Sequence, residues 1–66
     1  MVKLIKTQTL WGATYRNRYY MDGKRVSEAE WAGTFNNVYK TADDVANARM
    51  ETKKTGINKV QYTWHA

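Results

Sequence analysis

The 66 residues contain no cysteine and no proline. Without cysteine, neither a disulfide nor a thiolate metal site can supplement the core, which fits a reducing compartment and makes the cytoplasm the expected location. Nothing marks a boundary either: there is no Gly/Ser-rich linker, low-complexity tract or internal repeat, so residues 1–66 read as one domain. Long apolar runs are also missing. No stretch approaches the roughly 20 residues that span a bilayer, and MVKLIKTQTLW is too polar for a secretory core. A soluble protein without a membrane partner is expected.

Catalytic vocabulary is equally sparse. Histidine occurs once, at His65; with no cysteine beside it the usual metal-ligand set is incomplete, and a frayed terminal side chain is expected. Neither Gly12 nor Gly33 belongs to a phosphate-cradling glycine pattern. Each carboxylate has a structural place: Asp22 in a turn, Glu28, Glu30, Asp43 and Asp44 at helix starts, and Glu51 on a charged helical face. No catalytic residue, metal or cofactor is assigned, and a binding protein rather than an enzyme is expected.

Positive charge is abundant. Lys and Arg number 11 against 6 Asp and Glu, giving +5 and a pI near 9.7. Such a balance suits a polyanion or an acidic protein surface as partner. A chain this short has barely enough core to fold alone, so most large apolar residues should serve packing.

Hydrophobic patterning yields a small α+β domain: an antiparallel sheet, made of a β-hairpin plus terminal strands, with two short helices on one face. VKLIKTQTL (2–10) is the first strand, in which Leu4, Ile5 and Leu10 cannot all face one way. TYRNRYYM (14–21) alternates, with Tyr15, Tyr19 and Met21 on one face and Arg16, Arg18 and Tyr20 on the other. Asp22-Gly23 is a two-residue hairpin signal, followed by a short strand Lys24 to Val26. The turn should pair Met21 with Lys24, Tyr20 with Arg25 and Tyr19 with Val26.

Ser27-Glu28-Ala29-Glu30 reads as a reciprocal capping box, with Val26 and Trp31 as a staple. Trp31, Phe35 and Val38 form the buried stripe of a helix ending near Asn36-Asn37. Thr41-Ala42-Asp43-Asp44 starts a second helix, expected to run to Lys53-Lys54 with Gly56 closing it. On that helix Ala42, Val45, Ala46 and Met50 are the apolar stripe, while Arg49 and Lys53, at i and i+4, share a face. INKVQYTWHA is the closing strand, with Val60, Tyr62 and Trp64 inward.

Two basic clusters are left over. Arg16, Arg18, Tyr20 and Arg25 place three guanidinium groups around one ring, a combination suited to phosphate pairing and base stacking. The same residues also make sense as a solubilising face in which Arg18 or Arg25 covers Tyr20. Arg49, Lys53 and Lys54, with Lys59 just beyond, are a second cluster, equally explained by helix-dipole complementation. Were both clusters on one side, a polyanion would be favoured. Among the aromatics, Trp31, Phe35, Tyr62, Trp64, Tyr15 and Tyr19 fall at core-facing positions. Trp11, Tyr20 and Tyr39 have no evident inward role, and Trp11 beside Gly12 is the expected exposed anchor.

The stretch RYYMDGKRVSEAEW resembles a hairpin-plus-helix pattern in very small, basic bacteriophage accessory proteins. That resemblance implies a host-takeover or DNA-metabolism role in the bacterial cytoplasm, often through inhibition of a host protein. GKRV and YKTADDVANAR also look like parts of the three-stranded-sheet DNA readers of the integrase arm-binding type, although a helix starts at Ser27 where that fold continues its sheet. The expected function is nucleic-acid binding, DNA or RNA, through the Arg16, Arg18, Tyr20 and Arg25 face. Inhibition of, or adaptation to, an acidic host protein by the same surface is the alternative, and edge-to-edge dimerisation a third.

Overall fold

At the Asp22-Gly23 turn both central residues lie at positive φ, 51° and 84°. This is the backbone a type I′ hairpin requires, and it matches the twist of the strands on either side. The three cross-strand pairs expected from it are all present. Asp22 is also tied to the first strand: its Oδ1 accepts a hydrogen bond from the Lys3 amide at 2.9 Å, and its own amide donates to the Lys3 carbonyl at 3.0 Å.

The computed structural model describes residues 2–66. Strands Lys3–Trp11 (β1), Thr14–Met21 (β2) and Lys24–Val26 (β3) precede helices Glu28–Val38 (α1) and Ala42–Ala46 (α2), and strands Arg49–Gly56 (β4) and Lys59–His65 (β5) follow. All five strands join one antiparallel sheet in the order β3-β2-β1-β5-β4, so the strands nearest the two ends of the chain pair at its centre. The fold is α+β. No helix among the described residues is long and apolar enough to cross a membrane.

Alternation along this ladder gives the sheet two chemically different faces. Leu4, Tyr19, Tyr62, Trp64 and Met50 point toward α1, and Leu4 is fully buried there. Ile5 takes the opposite face. Trp31, 7% exposed, is the centre of the core: its ring lies 5.2 Å from those of Tyr19 and Phe35 and 5.5 Å from Trp64. Phe35 meets Trp64 edge-on at 5.2 Å. Such offset and edge contacts each add about 0.5–1.5 kcal/mol beyond area burial. A core of rings lets so short a chain bury enough surface with few residues.

Two aromatic assignments change. Tyr15, expected inward, is 58% exposed because it sits on β2 beyond the residues that meet α1. Tyr39, expected to have no inward role, packs its ring 4.9 Å from Phe35. It is the residue just after α1, and its amide donates to the Phe35 carbonyl, which turns the ring back onto the helix.

The capping sites also differ from expectation in detail. Ser27 Oγ accepts from the Glu30 amide, but the reciprocal bond, from the Ser27 amide to the Glu30 carboxylate, does not form. At α2 both halves are present, Asp44 Oδ2 accepting from the Thr41 amide and Thr41 Oγ1 from the Asp44 amide.

The largest correction concerns residues 47–56. The second helix stops after five residues, with Asn47 as its C-cap, and the segment from Arg49 is an edge strand. Good helix formers such as Met50, Glu51 and Lys53 yield here to sheet completion: β5 gains a partner, and Met50 and Thr52 oppose Trp64 and Tyr62. Gly56 is therefore no helix terminator. It ends β4 beside a bulge at Thr55, which takes up the mismatch of a turn whose central residues, Ile57 and Asn58, keep negative φ.

Candidate nucleic-acid interface

The sheet face opposite α1 carries every arginine of the chain. Arg16 and Arg18 project from β2, Arg25 from β3 and Arg49 from β4, all in the alternation class of Ile5 on β1. Lys3, Lys53 and Lys59 join them, and Glu51 is the single carboxylate among the described strand residues of this face. The helices have the opposite bias, with Glu28, Glu30, Asp43 and Asp44 and no Lys or Arg. Lys6, Lys24 and Lys54 lie on the helix side of the sheet and offset the acids there, so the net positive charge of the domain falls on the open face.

The register sorts this face into rows running across the strands. One row holds Arg25, Tyr20, Ile5, Thr63 and Glu51; the next holds Arg18, Thr7, Gln61 and Lys53; a third holds Arg16, Thr9 and Lys59. Tyr20 and Arg25 are neighbours, as their sequence positions demand. Neither Arg18 nor Arg25 covers the Tyr20 ring. The guanidinium that does meet a ring on this face is that of Arg16, whose carbon lies 5.7 Å from the Trp11 indole centroid.

Both clusters of the sequence reading lie on this face, with one exception. Arg49 and Lys53 share it because residues four apart fall on one side of a strand as they do on a helix. Lys54 does not: it opposes Val60 and belongs to the helix-side alternation. Lys59, level with Thr9 and Arg16, takes its place. The signal that distinguishes strand from helix here is the alternation of charged Arg49, Glu51 and Lys53 with uncharged Met50 and Thr52.

Small side chains on the central strand leave a depression between the basic ones. Thr7 and Thr9 form part of its floor, Arg16 and Arg18 stand on one bank, Lys59 and Thr55 on the other, and Trp11 and Tyr20 close it, around a volume of about 390 Å³. A second hollow of about 240 Å³ continues it past Thr7 and Tyr20 toward Ile5, Gln61 and Gly23. Trp11 is 67% exposed, as an anchor at the end of such a trough should be.

His65 is not a frayed end. It is half-buried in β5, and its Nε2 lies 3.4 Å from Glu51 Oε2. Glu51 sits on β4, diagonally across from it, rather than on a helix. Asp22 and Asp44 are held by the hydrogen bonds described above. The chemistry available on the open face is therefore cationic pairing, hydroxyl and amide hydrogen bonding, and stacking. Comparison with protein-family models, with curated proteins and with solved structures found no match to this chain.

Proposed function

We propose that this protein is a small non-enzymatic module that binds nucleic acid through the open face of its sheet. The observation that carries this reading is the gathering of all four arginines, with Lys3, Lys53 and Lys59, on one face that also bears Tyr20 and Trp11. Planar guanidinium groups pair with phosphate oxygens two at a time, and aromatic rings accept bases of any sequence. Polar threonines between them leave room for sugars and phosphates. The resemblance of the hairpin-to-helix stretch to small basic phage proteins is in keeping with such a role in a bacterial cytoplasm.

Fluorescence anisotropy of labelled DNA and RNA, titrated with the protein at several salt concentrations, tests this reading. Binding that weakens steeply as salt rises supports it, because each phosphate neutralised releases counterions. Absence of binding to every form at low salt defeats it.

One observation favours a second reading, docking on an acidic host protein. Trp11, Tyr15 and Ile57 are 67%, 58% and 91% exposed, and the turn after β4 is joined to β1 by the Leu10 amide donating to the Asn58 carbonyl at 2.8 Å. They make an apolar tip of the kind that anchors protein contacts. For this partner, substitutions at Tyr15 and Ile57 would weaken binding as much as those at the arginines. For nucleic acid the arginines dominate.

A further inference from the structure

We infer that the ligand is a single strand, lying along β1 in the threonine-floored trough with bases stacked on Trp11 at one end and Tyr20 at the other. This rests on the nucleic-acid reading above and specifies the form of ligand. Its ground is the shape of the face, which charge alone does not determine.

Trp11 stands level with Thr14 and Tyr20 level with Ile5, so the two rings are six residues apart along the strands. At ~3.4 Å per residue that is about 20 Å. A stacked strand rises about 3.4 Å per nucleotide, so about six nucleotides reach from one ring to the other, and fewer if the strand is stretched. Between the rings Arg16 and Arg18 stand on β2 and Lys59 on β5, two strand spacings apart with β1 between them. Two spacings amount to about 10 Å, room for one backbone with its bases.

A duplex fits this face poorly. The major groove of B-form DNA, about 12 Å wide, admits a projecting helix or a two-stranded ribbon. Here five strands lie side by side, spanning about 19 Å between the outermost axes, and the centre is recessed below its banks. Such a surface receives a strand and does not enter a groove. The floor residues agree: Thr7 and Thr9 offer hydroxyls and methyls without projecting.

Arg16 already lies against one side of the Trp11 indole. A base stacked on the other side completes a sandwich, with the guanidinium directed at the neighbouring phosphate.

The test is a length series of labelled oligothymidylates of three, six and twelve nucleotides against a duplex of mixed sequence. Anisotropy and tryptophan emission are read together on the wild type, Trp11→Ala and Tyr20→Ala. The inference expects affinity to rise steeply from three to six nucleotides and little after, with the duplex bound at least about tenfold more weakly. Each substitution should weaken the six-nucleotide complex by roughly 5- to 100-fold, as loss of one base-stacking partner does, while leaving the salt slope unchanged. Trp11→Phe should restore most of the loss. Duplex bound as tightly as single strand, or unaltered affinity in a folded Trp11→Ala variant, would overturn the inference while the broader nucleic-acid reading stands. If neither single strand nor duplex is bound at low salt, both fall.

Discussion

The Arg16 guanidinium carbon lies 5.7 Å from the centroid of the Trp11 ring. The two residues come from adjacent strands around the Gly12-Ala13 turn, where Gly12 takes φ 64°, the positive value a two-residue turn of the II′ type needs at its first central position. The turn therefore sets the end wall of the trough. Because Trp11 is so exposed, the contact contributes little to folding, about 0.5–1 kcal/mol at most. Arg16→Ala should leave the thermal midpoint within a few degrees of wild type while weakening oligonucleotide binding; a midpoint drop beyond 10 °C would make Arg16 a structural residue.

The paired substitution Arg18→Ala with Arg25→Ala removes two cations from the open face and no core contact. Circular dichroism should be unchanged. For a single-stranded ligand the slope of log affinity against log salt should become shallower by about 1.4, since each phosphate contact contributes roughly 0.7. An unaltered slope in the folded double variant would remove these residues from the interface.

Neighbouring lysines separate the strand from a helix in a functional assay. Lys53 lies on the open face and Lys54 on the other. Lys53→Ala should reduce affinity severalfold, whereas Lys54→Ala should leave it as it is. Equal losses from both would mean that charge acts without regard to face.

Asp22 joins the hairpin to β1 through the Lys3 amide at 2.9 Å and holds a positive φ of 51°. Asp22→Asn keeps an acceptor and the tolerance for that backbone, so its stability should change by less than about 0.5 kcal/mol. Asp22→Ala loses both and should cost about 1–2 kcal/mol. In a domain of this size each kcal/mol lowers the thermal midpoint by about 4–8 °C. Urea titration of the two variants side by side would measure the difference.

Trp31 touches Tyr19, Phe35 and Trp64 at once. Trp31→Ala should cost about 3–5 kcal/mol, a large share of what a small domain possesses, and leave the chain largely unfolded at 37 °C. Retained cooperative unfolding near the wild-type midpoint would show that the core is carried elsewhere.

Local chemistry made much of this protein legible as a string of residues. Asp22-Gly23 admits one hairpin register, and that register puts Tyr20 beside Arg25 on the face away from Val26. Ser27 and Thr41 start their helices because a hydroxyl there satisfies an amide that has no partner within the helix. Strict alternation in β5 determined which of its residues face α1, whereas Thr63 is buried on the opposite face. These features depend on neighbours within a few positions, so no knowledge of the rest of the chain was needed.

Tertiary structure decided the rest, because the competing local preferences were nearly equal. Residues 49–56 have the composition of a helix, yet β5 offers them a ladder of hydrogen bonds, and the helix offers no comparable burial. That choice moved Lys54 off the open face and set Lys59 in line with Arg16. Tyr15 follows the same alternation as Tyr19 but lies beyond the residues that meet α1, so only the placement of the helix leaves it exposed. Residues far apart in the chain, Trp11, Arg18, Lys53 and Lys59, became one surface through the pairing of β1 with both β2 and β5. Sequence established the types of residue available for such a surface; long-range strand pairing, whose energy no local window contains, determined which of them stand together.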